Sequence, residues 1–188
     1  MKISVFGGSQ PKPGTPAYEE ARQLGELLAK RGHTVMTGGY IGTMEATSRG
    51  ASEAGGHVIG VTCDEIERWR PVQSNQWVAE EYRRETLIER MQVLIGDCDA
   101  AIALPGGVGT LTEIALMLNL MVVESMHRRP LVLVGNGWQS VFDQFSTQFD
   151  VYITGNLNDL VQYAEDVETA VKTMETGLQS LETLDKEE

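Results

Sequence analysis

Short apolar runs alternate along the chain with longer stretches in which apolar positions recur every three or four residues. The short runs cover 3–6, 34–37, 58–61, 100–104 and 131–134, with a weaker one at 160–163. They are rich in Val, Ile and Leu and lack a polar face, the pattern of strands buried on both sides. The longer stretches cover 17–31, 43–54, 81–95, 110–124, 138–149 and 167–176, and their period predicts helices. Strands that alternate with helices predict an α/β protein with a parallel sheet, helices on both faces and right-handed crossovers.

One stretch breaks the alternation. Residues 62–80 carry Arg68, Trp69, Arg70, Pro71 and Trp77 without a period. They read either as a surface loop with aromatic anchors or as the rim of a pocket. No interdomain linker or repeat interrupts the chain. We therefore expect one Rossmann-like domain over residues 1–178, in three α/β/α layers, followed by an acidic, disordered tail over 179–188.

Composition then removes several functions. A net charge of −12 argues against nucleic-acid binding, because such a surface repels phosphate backbones. Local amides and one or two arginines can still hold a small phosphorylated ligand. After Met1 and Lys2 the apolar run is short and ends in Gly7-Gly8, so no signal peptide is expected. The run from Ile114 to Val123 is interrupted by Asn119 and falls short of the roughly 20 residues of a membrane span. Cys63 and Cys98 are far apart and read as reduced thiols of a cytoplasmic protein. His33, His57 and His127 lack paired spacing, so no metal site is expected.

Candidate chemistry gathers where strands end. Gly7-Gly8-Ser9 follows the first run, Gly38-Gly39-Tyr40-Ile41-Gly42-Thr43 the second, and Gly106-Gly107-Val108-Gly109-Thr110 the fourth. In an open parallel sheet these turns share the edge at which ligands bind. Glycine lets backbone approach a ligand, and helix N-termini offer free N–H groups to a phosphate. We take Gly8, Ser9, Gly39, Gly42, Thr43, Gly106, Gly107, Val108, Gly109 and Thr110 as candidate phosphate or nucleotide contacts. No lysine lies between Lys30 and Lys172, which excludes a Walker loop and a pyridoxal phosphate Schiff base. Thr112 occupies the third glycine place of the dinucleotide fingerprint. No cofactor is expected.

Two charged residues have double readings. Glu113 lies three residues after Thr110, the spacing of a capping box. Its carboxylate either closes the helix start or faces the pocket. Arg90 falls roughly 40° from Leu94, at the border of the stripe formed by Leu87, Met91, Leu94 and Ile95. It either snorkels to water or serves the site, and Arg83, near the same border, would then make an anion-binding pair with it. Glu45 either points into the site or complements a helix dipole. Glu85 and Glu89 read as a solvated face.

At 105–113 the residues PGGVGTLTE resemble the PGGxGTxxE signature of the LONELY GUY (LOG) family, the phosphoribohydrolases of cytokinin riboside 5′-monophosphates once labelled "lysine decarboxylase". Gly38-Gly39, Gly42 and Met44 are similar to the family's GGxxGxM turn, and FGGS at 6–9 adds to the likeness. The resemblance implies a catalytic arginine fifteen residues before the signature proline, here Arg90, with Glu113 as its catalytic partner. It implies a nucleoside 5′-monophosphate (AMP or a cytokinin type) as substrate and a homodimer built on helices near 110–124. That helix is apolar nearly all round, from Ile114 to Val123, so it should be buried on every side. Leu87-Ile88-Glu89-Arg90-Met91 stands where the family reads MHxRK, and Glu45 where plant-type members carry glycine. The pattern looks more like a bacterial side branch that includes molybdenum cofactor carrier proteins, which bind without hydrolysing. The expected activity is hydrolysis of the N-glycosidic bond, or, in the carrier reading, binding alone.

Overall fold

The computed structural model describes residues 1–184. Its strands are β1 (Lys2–Phe6), β2 (Thr34–Thr37), β3 (Val58–Cys63), β4 (Glu80–Arg84), β5 (Ala100–Ala103), β6 (Leu131–Val134) and β7 (Gln162–Ala164). Its helices are α1 (Pro16–Lys30), α2 (Thr43–Glu53), α3 (Asp64–Trp69), α4 (Leu87–Gly96), α5 (Val108–Val122), α6 (Asn136–Gln148) and α7 (Val167–Leu184).

All seven strands pair in parallel, in the order β4-β3-β2-β1-β5-β6-β7. Successive residues of each central strand point to opposite faces. Ile3, Val5, Val35, Ile102 and Val132 pack against α1, α2 and α7. Phe6, Met36, Ile59, Ala101 and Leu133 pack against α4, α5 and α6. The result is a doubly wound, three-layer α/β/α Rossmann-like fold, as the alternation predicted. Strand order reverses between β1 and β5, and that reversal opens a crevice at their carboxyl ends.

Several elements differ from expectation. The helix expected at 81–95 begins only at Leu87, because Glu80–Arg84 forms the edge strand β4. Edge strands need little apolar character, and β4 carries charges that blunt its free side. Its residue Arg83 is exposed and paired with Asp64 and Glu67, so it forms no anion site with Arg90. The capping box is real but lies elsewhere: the Thr86 side chain accepts from the Glu89 N–H, and the Glu89 carboxylate accepts from the Thr86 N–H at 3.1 Å. Glu89 is therefore a cap rather than only a solvated face.

The helix expected from Thr110 starts two residues earlier, with Gly107 as its N-cap. Thr110 is thus inside the first turn, and Glu113 is released from any capping duty. Residues 64–69, expected as loop or rim, form the short helix α3. At the other end α7 runs to Leu184 rather than Thr176. Its last residues fall in the segment expected to be a disordered tail; residues 185–188 lie outside the described residues.

Candidate functional site

The crevice at the β1/β5 reversal is a cleft of about 450 Å³ with two unlike walls. One wall is backbone. Gly7–Ser9 leave β1, Gly107–Thr110 open α5, and the Gly8 N–H donates to the Pro105 carbonyl at 3.3 Å. The loop after β2 is tied to them: the Thr43 N–H and hydroxyl both donate to the Gly8 carbonyl, at 3.0 and 2.9 Å. Glycine is required at this junction. Gly42 has φ +75°, and a Cβ there would stand 2.6 Å from the Gly8 oxygen. No side chain caps α5, and the first N–H groups of a helix have no intrahelical acceptor. Val108, Gly109 and Thr110, which carry such groups, line the cleft at the positive end of the helix dipole.

Arg90 and Glu113 form the floor. Arg90 is buried on α4, its Nε donating to the Val61 carbonyl at 2.7 Å and its Nη2 to the Gly38 carbonyl at 3.1 Å. Its guanidinium carbon lies 5.6 Å from the centre of the Tyr40 ring, and Nη2 touches Met44 Sδ. Gly38 is the backbone carbon that makes room for it: a Cβ would fall on Nη2. The remaining Nη1 faces the Glu113 carboxylate at 3.9 Å. Arg90 is therefore held from several sides rather than snorkelling.

Glu113 sits on the inward face of α5 with 12% of its side chain exposed. Burial pushes its pKa up to about 7, against a partial downward pull from Arg90. A neighbouring arginine ordinarily keeps a carboxylate anionic; here desolvation outweighs the ion pair because the pair is long and the carboxylate gains no hydrogen-bond donor among the described residues. The group is poised to hold or release a proton near neutrality.

The opposite wall is apolar. Ile66 and Trp69 of α3 and Leu87 of α4 line it, together with Arg70. The 62–80 segment, through Ile66, Trp69 and Arg70, thus contributes a pocket rim, as one of the two sequence readings had it.

Of the residues singled out in the sequence, Gly8, Ser9, Arg90, Gly107, Val108, Gly109, Thr110 and Glu113 line this cleft together. Gly39, Gly42, Thr43 and Gly106 do not. Gly39, φ +76°, shapes the β2 turn; Thr43 lashes the loops; Gly106 leaves room for the Thr110 side chain and the Gly8 N–H. Glu45 turns away and accepts from the Tyr18 hydroxyl at 3.0 Å. Sequence reasoning missed Tyr40 and Leu87 as lining residues; only the GGxxGxM turn hinted at the first. Among the described residues no group of His, Cys, Asp and Glu is arranged to hold a metal ion.

Comparison with known proteins agrees with the fold. The model of the SLOG cluster4 family matches residues 1–154. An uncharacterised protein of Archaeoglobus fulgidus is 30% identical over 72% of this chain and 85% of its own. A probable cytokinin riboside 5′-monophosphate phosphoribohydrolase of Oryza sativa is 31% identical over 71% of this chain. The alignment spans 53% of that longer protein. A cytokinin riboside 5′-monophosphate phosphoribohydrolase of Arabidopsis thaliana is 33% identical, again over 71% of this chain and 60% of the relative. The chain thus matches little more than half the length of these plant enzymes. Among solved structures, the molybdenum cofactor binding protein of Rippkaea orientalis superimposes with a TM-score of 0.72 at 26% identity, covering 93% of this chain and 95% of that one. The molybdenum cofactor carrier protein of Chlamydomonas reinhardtii gives the same score and identity over 95% and 98%.

Proposed function

From the chain's membership of the SLOG cluster4 family, with relatives among LOG phosphoribohydrolases and molybdenum cofactor carriers, we propose that it hydrolyses the N-glycosidic bond of a nucleoside 5′-monophosphate, releasing the free base and ribose 5-phosphate. The observation that carries this reading is the buried Arg90–Glu113 pair at the foot of an uncapped helix N-terminus. The 5′-phosphate takes the free N–H groups of α5 and the Gly8–Ser9 loop, which brings the ribose over Glu113. As the C1′–N bond lengthens, its electron pair leaves with the base and positive charge builds on the ribose. The Glu113 carboxylate stabilises that charge and takes a proton from the attacking water, whose oxygen bonds to C1′; the base gains one proton in exchange. A pKa near 7 suits a group that must both accept and return a proton. Arg90 touches Glu113 and keeps a fraction of it ionised.

The test is incubation with AMP, followed by chromatography for adenine and a sugar assay for ribose 5-phosphate. Equal amounts of both are expected, and Glu113→Gln should slow release by on the order of 10²–10⁴-fold. A Glu113→Gln variant as fast as the parent would sink the assigned role. The carrier reading is favoured by the carrier structures and by Leu87-Ile88-Glu89-Arg90-Met91 in place of MHxRK. It predicts that AMP raises the melting temperature while no base appears.

The same reading makes the protein a homodimer, paired through α5 and α6. Within one chain α5 leaves Leu111 and Val122 exposed, and Val123 just after it is exposed too, as are Val141 and Phe145 of α6. An apolar groove of about 560 Å³ runs between the two helices, continuous with exposed Val151 and Tyr152. Patches of this kind mark association surfaces. The α5 face adjoins the cleft, so a second copy seated there also shields the substrate. Light scattering should give twice the monomer mass, and Phe145→Glu should halve it. Two buried free thiols, Cys63 and Cys98, fit a reducing cytoplasmic setting.

A further inference from the structure

Trp69 is 78% exposed, an unusual place for so large an apolar ring unless a partner covers it. It is the last residue of α3, and the Arg70 N–H that follows it closes the helix on the Ile66 carbonyl at 2.8 Å. The helix that carries it is pinned from three sides. Arg83 donates to Asp64 at 2.8 Å and to Glu67 at 2.6 Å. The Leu87 N–H donates to the Glu65 carboxylate at 2.8 Å. The Cys63 N–H donates to the Tyr40 hydroxyl at 2.8 Å, and that hydroxyl donates back to the Cys63 carbonyl. The ring is therefore presented at the cleft rim by a fixed support. The guanidinium carbon of Arg70 lies over it, 5.5 Å from the ring centre, and orients the indole. Arg70 Nε is buried without an acceptor, a donor left over in the same wall.

The cleft is thus lined both by the backbone at a helix N-terminus, suited to an anion, and by apolar side chains that include an indole with an unused donor beside it. A nucleoside monophosphate has the matching asymmetry, with phosphate at one end and a planar heteroaromatic ring at the other. We propose that Trp69 is the specificity-determining residue of this cleft: the nucleobase stacks on its indole, and Arg70 donates from Nε to the ligand. The proposal rests on the nucleotide reading of the site and names which residues hold the base. Stacking tolerates any planar base, so it selects for nucleotides over sugar phosphates rather than for one base over another.

Calorimetric titrations with AMP and with ribose 5-phosphate test it, carried out in the Glu113→Gln background so that AMP survives. Trp69→Ala should weaken AMP about 5- to 150-fold and leave ribose 5-phosphate within twofold, while Trp69→Phe restores most of the AMP affinity. An AMP affinity unchanged by Trp69→Ala overturns the proposal and leaves the nucleotide reading intact. An equal loss for both ligands also overturns it, since the indole would then only shape the cleft. If neither ligand binds the protein with Trp69 in place, the nucleotide reading itself fails and takes this inference with it.

Discussion

Replacing Glu113 by glutamine should make the protein more stable, and only above the acid range. The folded carboxyl has a pKa of about 7 against an ordinary value of 4.5. The native state therefore holds a proton that the unfolded chain releases between those pH values. Where the native state binds more protons, stability falls as pH rises. Below pH 4.5 both states are protonated and Glu113 is nearly neutral in effect. Above pH 7 both are ionised, and the native state carries a buried charge worth about 3 kcal/mol of instability, from roughly 2.5 pK units at 1.36 kcal/mol each. Glutamine mimics the protonated carboxyl at every pH. Arg90 and the other titrating groups are common to both proteins and cancel in the comparison. Urea denaturation at pH 4.5 and pH 8 measures it: the variant's advantage should grow by about 3 kcal/mol between the two, equivalent to a melting-temperature gain of roughly 6–12 °C at pH 8. An advantage that does not change with pH would refute the argument that desolvation dominates Glu113.

Two further outcomes are expected. Gly38→Ala places a methyl on Arg90 Nη2 and 2.5 Å from Met44 Sδ, so the guanidinium must abandon the Gly38 carbonyl; a loss of about 2–3 kcal/mol should appear in denaturation, and base release should fall with it. Thr86→Ala removes the hydroxyl that accepts from the Glu89 N–H; the start of α4 should lose about 1 kcal/mol, measured by denaturation, without altering ligand affinity at the cleft.

Much of the fold was legible because the central strands are buried on both faces and leave unbroken apolar runs in the sequence. The strand at Glu80–Arg84 left none: it is an edge, its residues are charged, and their composition continues smoothly into the helix that follows. The start of α5 was misplaced for a similar reason. Its cap, Gly107, has no side chain to signal it, so the capping logic moved to Thr110. At the site, the glycine corners could be read because positive φ and close backbone approach leave few alternatives to glycine. The burial of Arg90 could not, because the carbonyls that satisfy it belong to Val61 and Gly38, far away in sequence. The ionisation of Glu113 depends on a balance between burial and a single distant cation, and no local pattern encodes that balance. The rim was half legible: an aperiodic stretch with two tryptophans suggested a pocket edge, but not which ring faces it.

The sheet ends on one side in β4, where Glu80, Glu81, Arg83 and Arg84 crowd a five-residue strand, and on the other in the three-residue β7. A foreign strand laid along the first border would meet charges of both signs, and the second is too short to template it. Growth of the sheet from molecule to molecule is closed off at both margins. Self-association through the helical flank can close around a twofold axis and stop there, so crowding this acidic protein should yield discrete particles rather than fibrils.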